Sequence, residues 1–202
     1  MDHRLLPMER RHVRGAADVH RREFPQFFLT TLGTRFLRQL YLSIVADDSA
    51  FGFVTEDVAT GVVTGVVTGT VEPEGYYKRM MTRRAWPFAW AALPTLLMRP
   101  WVIPGLFRRL RFRGNPPPDG RRAYLTGIAV DSTVQKAGLG RRLLTAWTEE
   151  SRSRGVEGMY LATDTDDNDG VNAFYLQCGW ALESTFVSFK GRRMNRYVLD
   201  FE

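Results

Sequence analysis

The chain has 202 residues, of which 44% are hydrophobic and 25% are charged. This length and composition allow one well-packed domain and exclude a wholly disordered chain. Residues 76–122 hold eleven Lys and Arg against one Asp, a net charge of +10, so the formal charge of +6 leaves −4 for the remainder. Because the basic charge is confined to one segment, no nucleic-acid partner is expected.

The few cysteine and histidine residues exclude further classes. Cys178 is alone, so no internal disulfide can form, and this fits a reducing compartment. His3, His12 and His20 follow no metal-ligand spacing, and no metal is expected. The longest uncharged run, 85–98, contains two prolines and is shorter than the roughly 20 residues of a membrane-spanning helix. Without a secretory signal either, the sequence predicts a soluble, cytoplasmic protein.

In chain order, the first part of the sequence predicts a strand, two helices and a hairpin. The second helix is the stronger, because its apolar residues recur at spacings of one, three and four. The hairpin joins two β-branched and aromatic runs through a Thr-Gly turn. The predicted elements cover 4–8, 9–23, 32–44 and, for the two strands of the hairpin, 51–55 and 62–71.

Residues 76–122 interrupt the regular pattern and are predicted to be a basic, aromatic insertion. A helix or two is expected over 86–98 and a loop over 113–122. The favoured interpretation is a lid or extra helical layer whose apolar side packs on the sheet while its arginines face water. A homodimer or partner contact, and contact with an anionic membrane, are the alternatives. The aromatic residues that could make such a contact include Trp90 and Trp101.

From Tyr124 onward the pattern is regular again. It predicts a buried strand, an amphipathic helix, a second strand, a second helix that stops before Gly179, and a closing hairpin. Their ranges are 124–130, about 139–154, 159–163, 170–177, and 186–189 with 194–201. Strands that alternate with helices in this way indicate a mixed α/β sheet.

The junction between the 124–130 strand and the following helix is the first candidate site. Successive backbone amides in such a loop, together with the positive end of the helix dipole, can bind a phosphate or pyrophosphate. Gly138 and Gly140 would let a ligand approach closely. The junction is neither a Walker loop nor a G-x-G-x-x-G fingerprint.

Two motifs in this region resemble those of the GNAT N-acyltransferase superfamily. Gln135-x-x-Gly138-x-Gly140 after a strand resembles its acetyl-CoA-binding motif, and the stretch 168–180 resembles its second motif. The close match covers about 124–180. The resemblance implies a single N-acetyltransferase domain over 1–202. The implied fold is α/β (α+β), with a mixed, mostly antiparallel sheet that is flanked by helices and splayed between its fourth and fifth strands.

The resemblance also implies a cofactor and a set of site residues. Acetyl-CoA is the co-substrate, its pantetheine arm lying along the fourth strand and its pyrophosphate at the loop. Tyr175 is the catalytic acid that protonates the departing CoA thiolate, with simple packing as the alternative role. The cofactor-binding positions are Ile128, Ala129, Val130, Gln135, Lys136, Ala137, Gly138, Leu139, Gly140, Arg141, Asn168, Asn172 and Tyr175.

The implied reaction is direct attack of a primary amine on acetyl-CoA in a ternary complex. The acceptor is a small-molecule or polymer-linked amine, with an amino sugar among the candidates. The alternative is a non-catalytic acyl-CoA-binding or regulatory module. The general base stays open between three carboxylates, although carboxylates in such positions are more often ordinary solvated side chains: Glu23, Glu72 and Asp164.

Other side chains with reactive groups receive more ordinary interpretations. Cys178 is read as a small core residue rather than a nucleophile. His20 and Glu23 are read as a surface pair, with contact to substrate as the alternative. Three arginines of the last hairpin could contact an anionic acceptor, although exposed strand arginines are common: Arg192, Arg193 and Arg196.

Overall fold

The computed structural model describes residues 2–98, 121–134, 138–188 and 191–201. The strands in these ranges are β1 (His3–Pro7), β2 (Ala50–Asp57), β3 (Val63–Thr70), β4 (Arg122–Val130), β5 (Gly158–Asp164), β6 (Ala181–Val187) and β7 (Arg193–Asp200). The helices are α1 (Val13–Glu23), α2 (Phe28–Thr31), α3 (Thr34–Val45), α4 (Tyr76–Arg83), α5 (Ala85–Met98), α6 (Leu139–Ser153) and α7 (Asp169–Gln177). A short 3₁₀ turn, Arg10–His12, precedes α1.

The seven strands form one sheet in the order β1-β2-β3-β4-β5-β7-β6. Every neighbouring pair is antiparallel except β4 and β5. These two parallel strands pair only from Arg122 and Gly158 to Tyr124 and Tyr160. The mixed, mostly antiparallel sheet and its splay between the fourth and fifth strands are therefore confirmed.

Helices cover both faces of the sheet, so there are two cores. One lies between the sheet and the helices α1 and α3 and includes residues of α4 and α5, and the other lies beneath α6. All eight residues of β3 are buried, as expected for a strand covered on both sides. Trp147 of α6 lies directly on β3, since a Cβ atom at Gly69 would be 2.2 Å from the indole Cζ2. Only glycine fits there, and this contact places α6 over the sheet.

Most predicted elements are confirmed with small shifts at their ends, but the closing hairpin starts earlier than predicted. Its first strand, β6, begins at Ala181, where the prediction placed it at 186. Residues 181–185 are largely exposed and lack an apolar pattern, yet they pair with β7 from Ala181 opposite Val198. Cross-strand pairing decides the structure here, while local composition does not. Residue 189, the end of the first predicted strand, lies outside the described residues.

The described part of the 76–122 insertion is a helical layer, but it packs differently from the prediction. The Phe88 ring of α5 lies 5.1 Å from Phe36 of α3, and Thr95 Oγ1 donates a hydrogen bond to the Leu32 carbonyl at 2.9 Å. α5 therefore rests on α3 rather than on the sheet, whereas the Tyr77 ring of α4 lies 6.5 Å from that of Tyr124 in β4. The layer's outward side carries exposed apolar residues in addition to exposed basic residues such as Arg83, which the prediction placed there.

Several expectations for the insertion fall outside the described residues, among them Trp101 and the predicted loop up to residue 120. Arg122, placed in that loop by the prediction, already belongs to β4. Within the described ranges, none of the helices has the length and apolar character needed to cross a membrane.

Candidate active site

The start of α6 is the most distinctive polar feature of the described chain. Gly138 has a φ of 71°, a left-handed conformation that favours glycine. Arg142 is the first residue of the helix whose amide bonds back, at 3.2 Å to the Gly138 carbonyl. The amides of Leu139, Gly140 and Arg141 have no acceptor among the described residues. Three N–H groups and the positive end of a 15-residue helix thus form a site suited to an anion.

The two glycines of this junction have different roles. A Cβ atom at Gly138 would meet nothing within 4 Å, so its positive φ is what selects glycine. A Cβ atom at Gly140 would lie 3.6 Å from the Phe174 ring and 3.8 Å from Val130 Cγ2, which is ordinary contact. Residues 135–137, predicted to continue this site as Gln135, Lys136 and Ala137, lie outside the described residues.

The β4 edge that faces β5 forms the second part of the site. On its other edge, β4 stays paired with β3, with Ile128 opposite Val67 and Ala129 opposite Val66. Thr126 is an extra residue in this pairing, a β-bulge, and its Oγ1 donates to the Thr68 carbonyl at 2.9 Å. Because the β4–β5 ladder ends at Tyr124, an extended molecule with amide groups could hydrogen-bond to β4 there as an added strand does.

Asn168 stands at the start of α7, beside the end of β5. Its Nδ2 donates to Thr163 Oγ1 and to the Asp164 carbonyl, both at 2.9 Å. Its Oδ1 has no donor among the described residues, so this oxygen remains available to an amide of a ligand. The predicted contact of Asn168 with the pantetheine arm stays a prediction, and this orientation is compatible with it.

Asn172, one turn further along α7, differs because its amide group is fully engaged by the protein. Nδ2 donates to the carbonyls of Asp164, at 3.1 Å, and Asn168, at 2.9 Å. Oδ1 accepts from Asn195 Nδ2, at 3.1 Å, and from the Tyr197 hydroxyl, at 3.0 Å. These bonds tie α7 to β5 and β7. We expect Asn172 to position the site, and its predicted contact with cofactor stays a prediction.

Tyr175 follows on α7 and is buried, with 4% of its surface exposed. Its ring lies 5.8 Å from those of Trp180 and Tyr197. Burial raises the pKa of the phenol well above its ordinary value of 10. No described residue hydrogen-bonds its oxygen. The side chain is therefore closely packed, as a purely structural role requires. It is also protonated at neutral pH, as the role of proton donor requires.

The C-terminus of α1 fixes the strand-to-loop junction after β4, a contact that the sequence did not reveal. The Arg22 guanidinium forms an ion pair with Asp131 at 2.7 Å, and Glu23 Oε1 accepts a hydrogen bond from the Ser132 amide at 3.0 Å. Asp131 also accepts from the Thr133 hydroxyl at 2.7 Å. The partners are 109 residues apart, and no spacing motif could have paired them.

The three candidate bases all have protein partners. Glu23 binds the Ser132 amide, as described above. Glu72 is exposed and lies 3.3 Å from an Arg79 nitrogen. Asp164 receives two hydrogen bonds from Arg192, one of them at 2.8 Å from Nε. None of the three is a free carboxylate, so the structure does not single out a base.

His20 is not the surface residue that its predicted pairing with Glu23 required. Its ring lies edge-on to Phe24 and Tyr41, and Nδ1 is 3.0 Å from the Tyr41 hydroxyl. Burial lowers the pKa of His20 from 6.5 to about 4, so the ring is neutral at physiological pH. The surface-pair interpretation is wrong for His20 because Phe24, which follows α1, and Tyr41 of α3 pack against it.

Cys178 and the hairpin arginines also have identifiable surroundings. Cys178 is half-buried, and burial raises the pKa of its thiol, which disfavours a thiolate nucleophile. Arg193 lies 3.5 Å from Asp166, and Arg196 lies 3.3 Å from Glu183. In the described ranges, no three His, Cys, Asp or Glu side chains are grouped to bind a metal ion.

Comparison with known sequences identifies relatives of this region. The family model described as the acetyltransferase (GNAT) family matches residues 15–180. A protein assigned as an HLS1-like N-acetyltransferase in Arabidopsis thaliana is 36% identical over 59 residues. That stretch is 29% of this chain and 14% of the relative, so the relative is much longer than the shared part.

Solved structures with a similar fold cover most of the chain. A protein assigned to the GNAT acetyltransferases in Desulfovibrio desulfuricans has a TM-score of 0.64 and 14% identity, with 98% of this chain and 99% of that chain covered. The spermidine/spermine N-acetyltransferase SpeG of Vibrio cholerae, in mutant form, has a TM-score of 0.58 and 16% identity, with 98% and 95% covered.

A third structure was solved with acetyl coenzyme A. It is a protein assigned as a streptothricin acetyltransferase in Bacillus anthracis, with a TM-score of 0.52 and 14% identity. The similar region covers 80% of this chain and 68% of that protein's chain. At these identities the structural similarity shows the fold, while the match of the family model over 15–180 shows descent. The chain belongs to the GNAT family of acetyltransferases.

Proposed function

We propose that this protein transfers an acetyl group from acetyl-CoA to a primary amine, with both substrates bound at once. The observation that carries the proposal is the group of three amides at 139–141 that have no acceptor among the described residues, beside the open edge of β4. Acetyl-CoA has the matching chemistry, an anionic pyrophosphate next to an extended arm that contains two amides. The residues present therefore fit this co-substrate.

Each part of the site has a distinct task in this proposal. The amides of Leu139, Gly140 and Arg141 bind the pyrophosphate, and the Arg141 guanidinium adds positive charge. The backbone of 128–130 and the side-chain oxygen Oδ1 of Asn168 hold the extended arm. When bound, acetyl-CoA supplies an activated acetyl group, its thioester. Most of the rate enhancement then comes from holding the amine against this carbonyl carbon.

Tyr175 is proposed to donate the proton that the departing sulfur needs. A thiol with a pKa of about 8.5 leaves as a thiolate and is largely protonated at neutral pH once a donor is present. Burial raises the pKa of Tyr175, so the phenol is protonated at neutral pH but is a weaker acid than a free phenol, and the transfer depends on its position beside the sulfur. The hydrogen bonds of Asn172 hold α7, and hence Tyr175, against β5 and β7.

The acceptor is proposed to be a polar primary amine, and an amino sugar is the first candidate. The Arg192 guanidinium lies 5.8 Å from the ring centre of the exposed Phe27 and is hydrogen-bonded to Asp164 at the end of β5. An aromatic face beside a carboxylate and a guanidinium suits a hydroxyl-rich amine. Other small or polymer-linked amines remain within the proposal, because the named substrates of its structural neighbours include spermidine.

A screen of amine classes tests this proposal. Acetyl-CoA would be incubated with the protein and with amino sugars, polyamines, amino acids or peptides, and the released thiol would be measured. We expect amine-dependent release that exceeds hydrolysis for at least one class, and an acetylated product by mass spectrometry. Tight binding of acetyl-CoA without turnover on every class would instead support the non-catalytic binding module.

A further inference from the structure

The outward face of α5 is a continuous apolar stripe. Trp86, Trp90 and Leu97 have 76%, 65% and 74% of their surface exposed. With Leu93 they recur at spacings of four, three and four, which places them on one side of a helix. Single exposed apolar residues are common on protein surfaces, but a stripe of this kind marks an interaction site.

This face of α5 cannot turn inward, because the opposite face of the helix is already packed in the core. Phe88 and Ala92 are buried in the core beneath it, with 4% and 3% exposed. The hydrogen bond from Thr95 to the Leu32 carbonyl further fixes the helix on α3. The two tryptophans lie with nearly parallel rings, 27° apart, and centres separated by 6.4 Å. The stripe is thus a preformed surface on a helix that is packed against α3.

Positive charge adjoins the stripe. Residues 76–98 contain no Asp or Glu, and among the described residues Lys78, Arg83 and Arg84 have no carboxylate within salt-bridge distance. Arg79 differs, since it is paired with Glu72. Three uncompensated cations therefore precede the aromatic end of α5, and Arg83 and Arg84 come within three residues of Trp86.

We propose that this face of α5 docks on an anionic lipid surface. Tryptophan prefers the boundary between headgroups and acyl chains, and lysine and arginine bind the lipid phosphates around it. The helix has 14 residues and is about 21 Å long, so it lies in the plane of the surface and does not cross it. A second copy of the chain would bring a positive flank of its own to the interface, and a negatively charged surface complements that flank better.

Vesicle flotation tests this proposal on the full chain. Phosphatidylcholine vesicles with 30 mol% phosphatidylglycerol should carry the protein upward at 50 mM salt, and pure phosphatidylcholine vesicles should carry little. Exchange of Lys78, Arg83 and Arg84 for Gln should lower the partition coefficient roughly 100-fold. This corresponds to a loss of about 2.8 kcal/mol in binding free energy, since each tenfold change is about 1.4 kcal/mol. Trp86→Ser with Trp90→Ser should lower it by roughly tenfold or more. Raising the salt to 0.5 M should release the wild type.

Matched controls separate docking from loss of fold or general charge. Exchange of the α1-region residues Arg10, Arg14 and Arg21 for Gln removes the same charge elsewhere, and Leu182→Ser changes an exposed apolar residue of β6. Both controls should float like the wild type, and all variants should keep the far-UV circular dichroism of the wild type. Absence of flotation for the folded wild type overturns the proposal. So does loss of flotation in the controls to the same extent as in the α5 variants. A stable dimer that the tryptophan exchange dissociates, without lipid binding, would assign the stripe to self-association.

Discussion

The hydrogen bonds of Asn172 predict a large effect from a nearly isosteric substitution. Asn172→Leu keeps the volume of the side chain but removes all four bonds. Asn195 and Tyr197, which donate to its oxygen, are 7% and 2% exposed, so neither donor can turn to bulk water without a rearrangement. A buried donor left without a partner costs roughly 1–3 kcal/mol. Two such donors, partly relieved at the rim of the half-buried site, give about 2–4 kcal/mol.

Urea unfolding followed by tryptophan fluorescence measures this loss. In thermal unfolding of a chain of this size, the same loss should lower the melting temperature by roughly 5–15 °C. Thr185→Val is the matched control, because it removes one donor to the Asn195 side-chain oxygen at an exposed position, where Thr165 still donates at 2.9 Å. The control should lose less than about 1 kcal/mol. Equal losses for the two variants would refute the reasoning that Asn172 is the centre of the network.

Three further predictions concern the site and its surroundings. Gly138→Asp and Gly138→Asn impose a similar backbone strain, since both side chains tolerate a positive φ, but the added charge of Asp should weaken acetyl-CoA binding roughly tenfold or more relative to Asn, by calorimetry. Tyr175→Phe keeps the ring packing and should lower kcat roughly 100-fold with little change in acetyl-CoA affinity, while an unchanged kcat, where chemistry limits the rate, would make Tyr175 structural. His20 has a pKa of about 4 folded and 6.5 unfolded, so the unfolded state binds the additional proton as the pH falls. Stability should therefore decline by roughly 2–3 kcal/mol between pH 6.5 and 4, and His20→Gln should reduce this slope in pH-dependent denaturation curves.

The sequence predicts those parts of the fold and site whose geometry is local. Gly138 and the helix after it indicate an anion site because a left-handed residue before a helix start leaves the same amides unpaired in any protein. The second motif, from Asn168 to Gly179, is local too, because one short helix fixes the relative positions of its residues. The sheet order follows from resemblance to the family, not from the residue pattern alone.

The features that could not be predicted depend on contacts between distant segments. The ion pair of Arg22 with Asp131 joins residues 109 positions apart, and neither residue type signals the other. The hydrogen bonds of Asn172 to Asn195 and Tyr197 could not be predicted either, because its partners on β7 are not visible in the sequence. The sequence also left open which side of α5 is exposed, because the helix is apolar on all sides and its sequence does not tell which side faces α3.

The central claim is that acetyl-CoA binds at the start of α6 and along the open edge of β4. Titration of the ¹⁵N-labelled protein with acetyl-CoA, followed by amide chemical shifts, tests it most directly. The account predicts saturable shifts concentrated at Leu139, Gly140, Arg141 and residues 126–130, lost in Gly138→Asp. No shifts at millimolar acetyl-CoA, or shifts centred elsewhere on the protein, would contradict it.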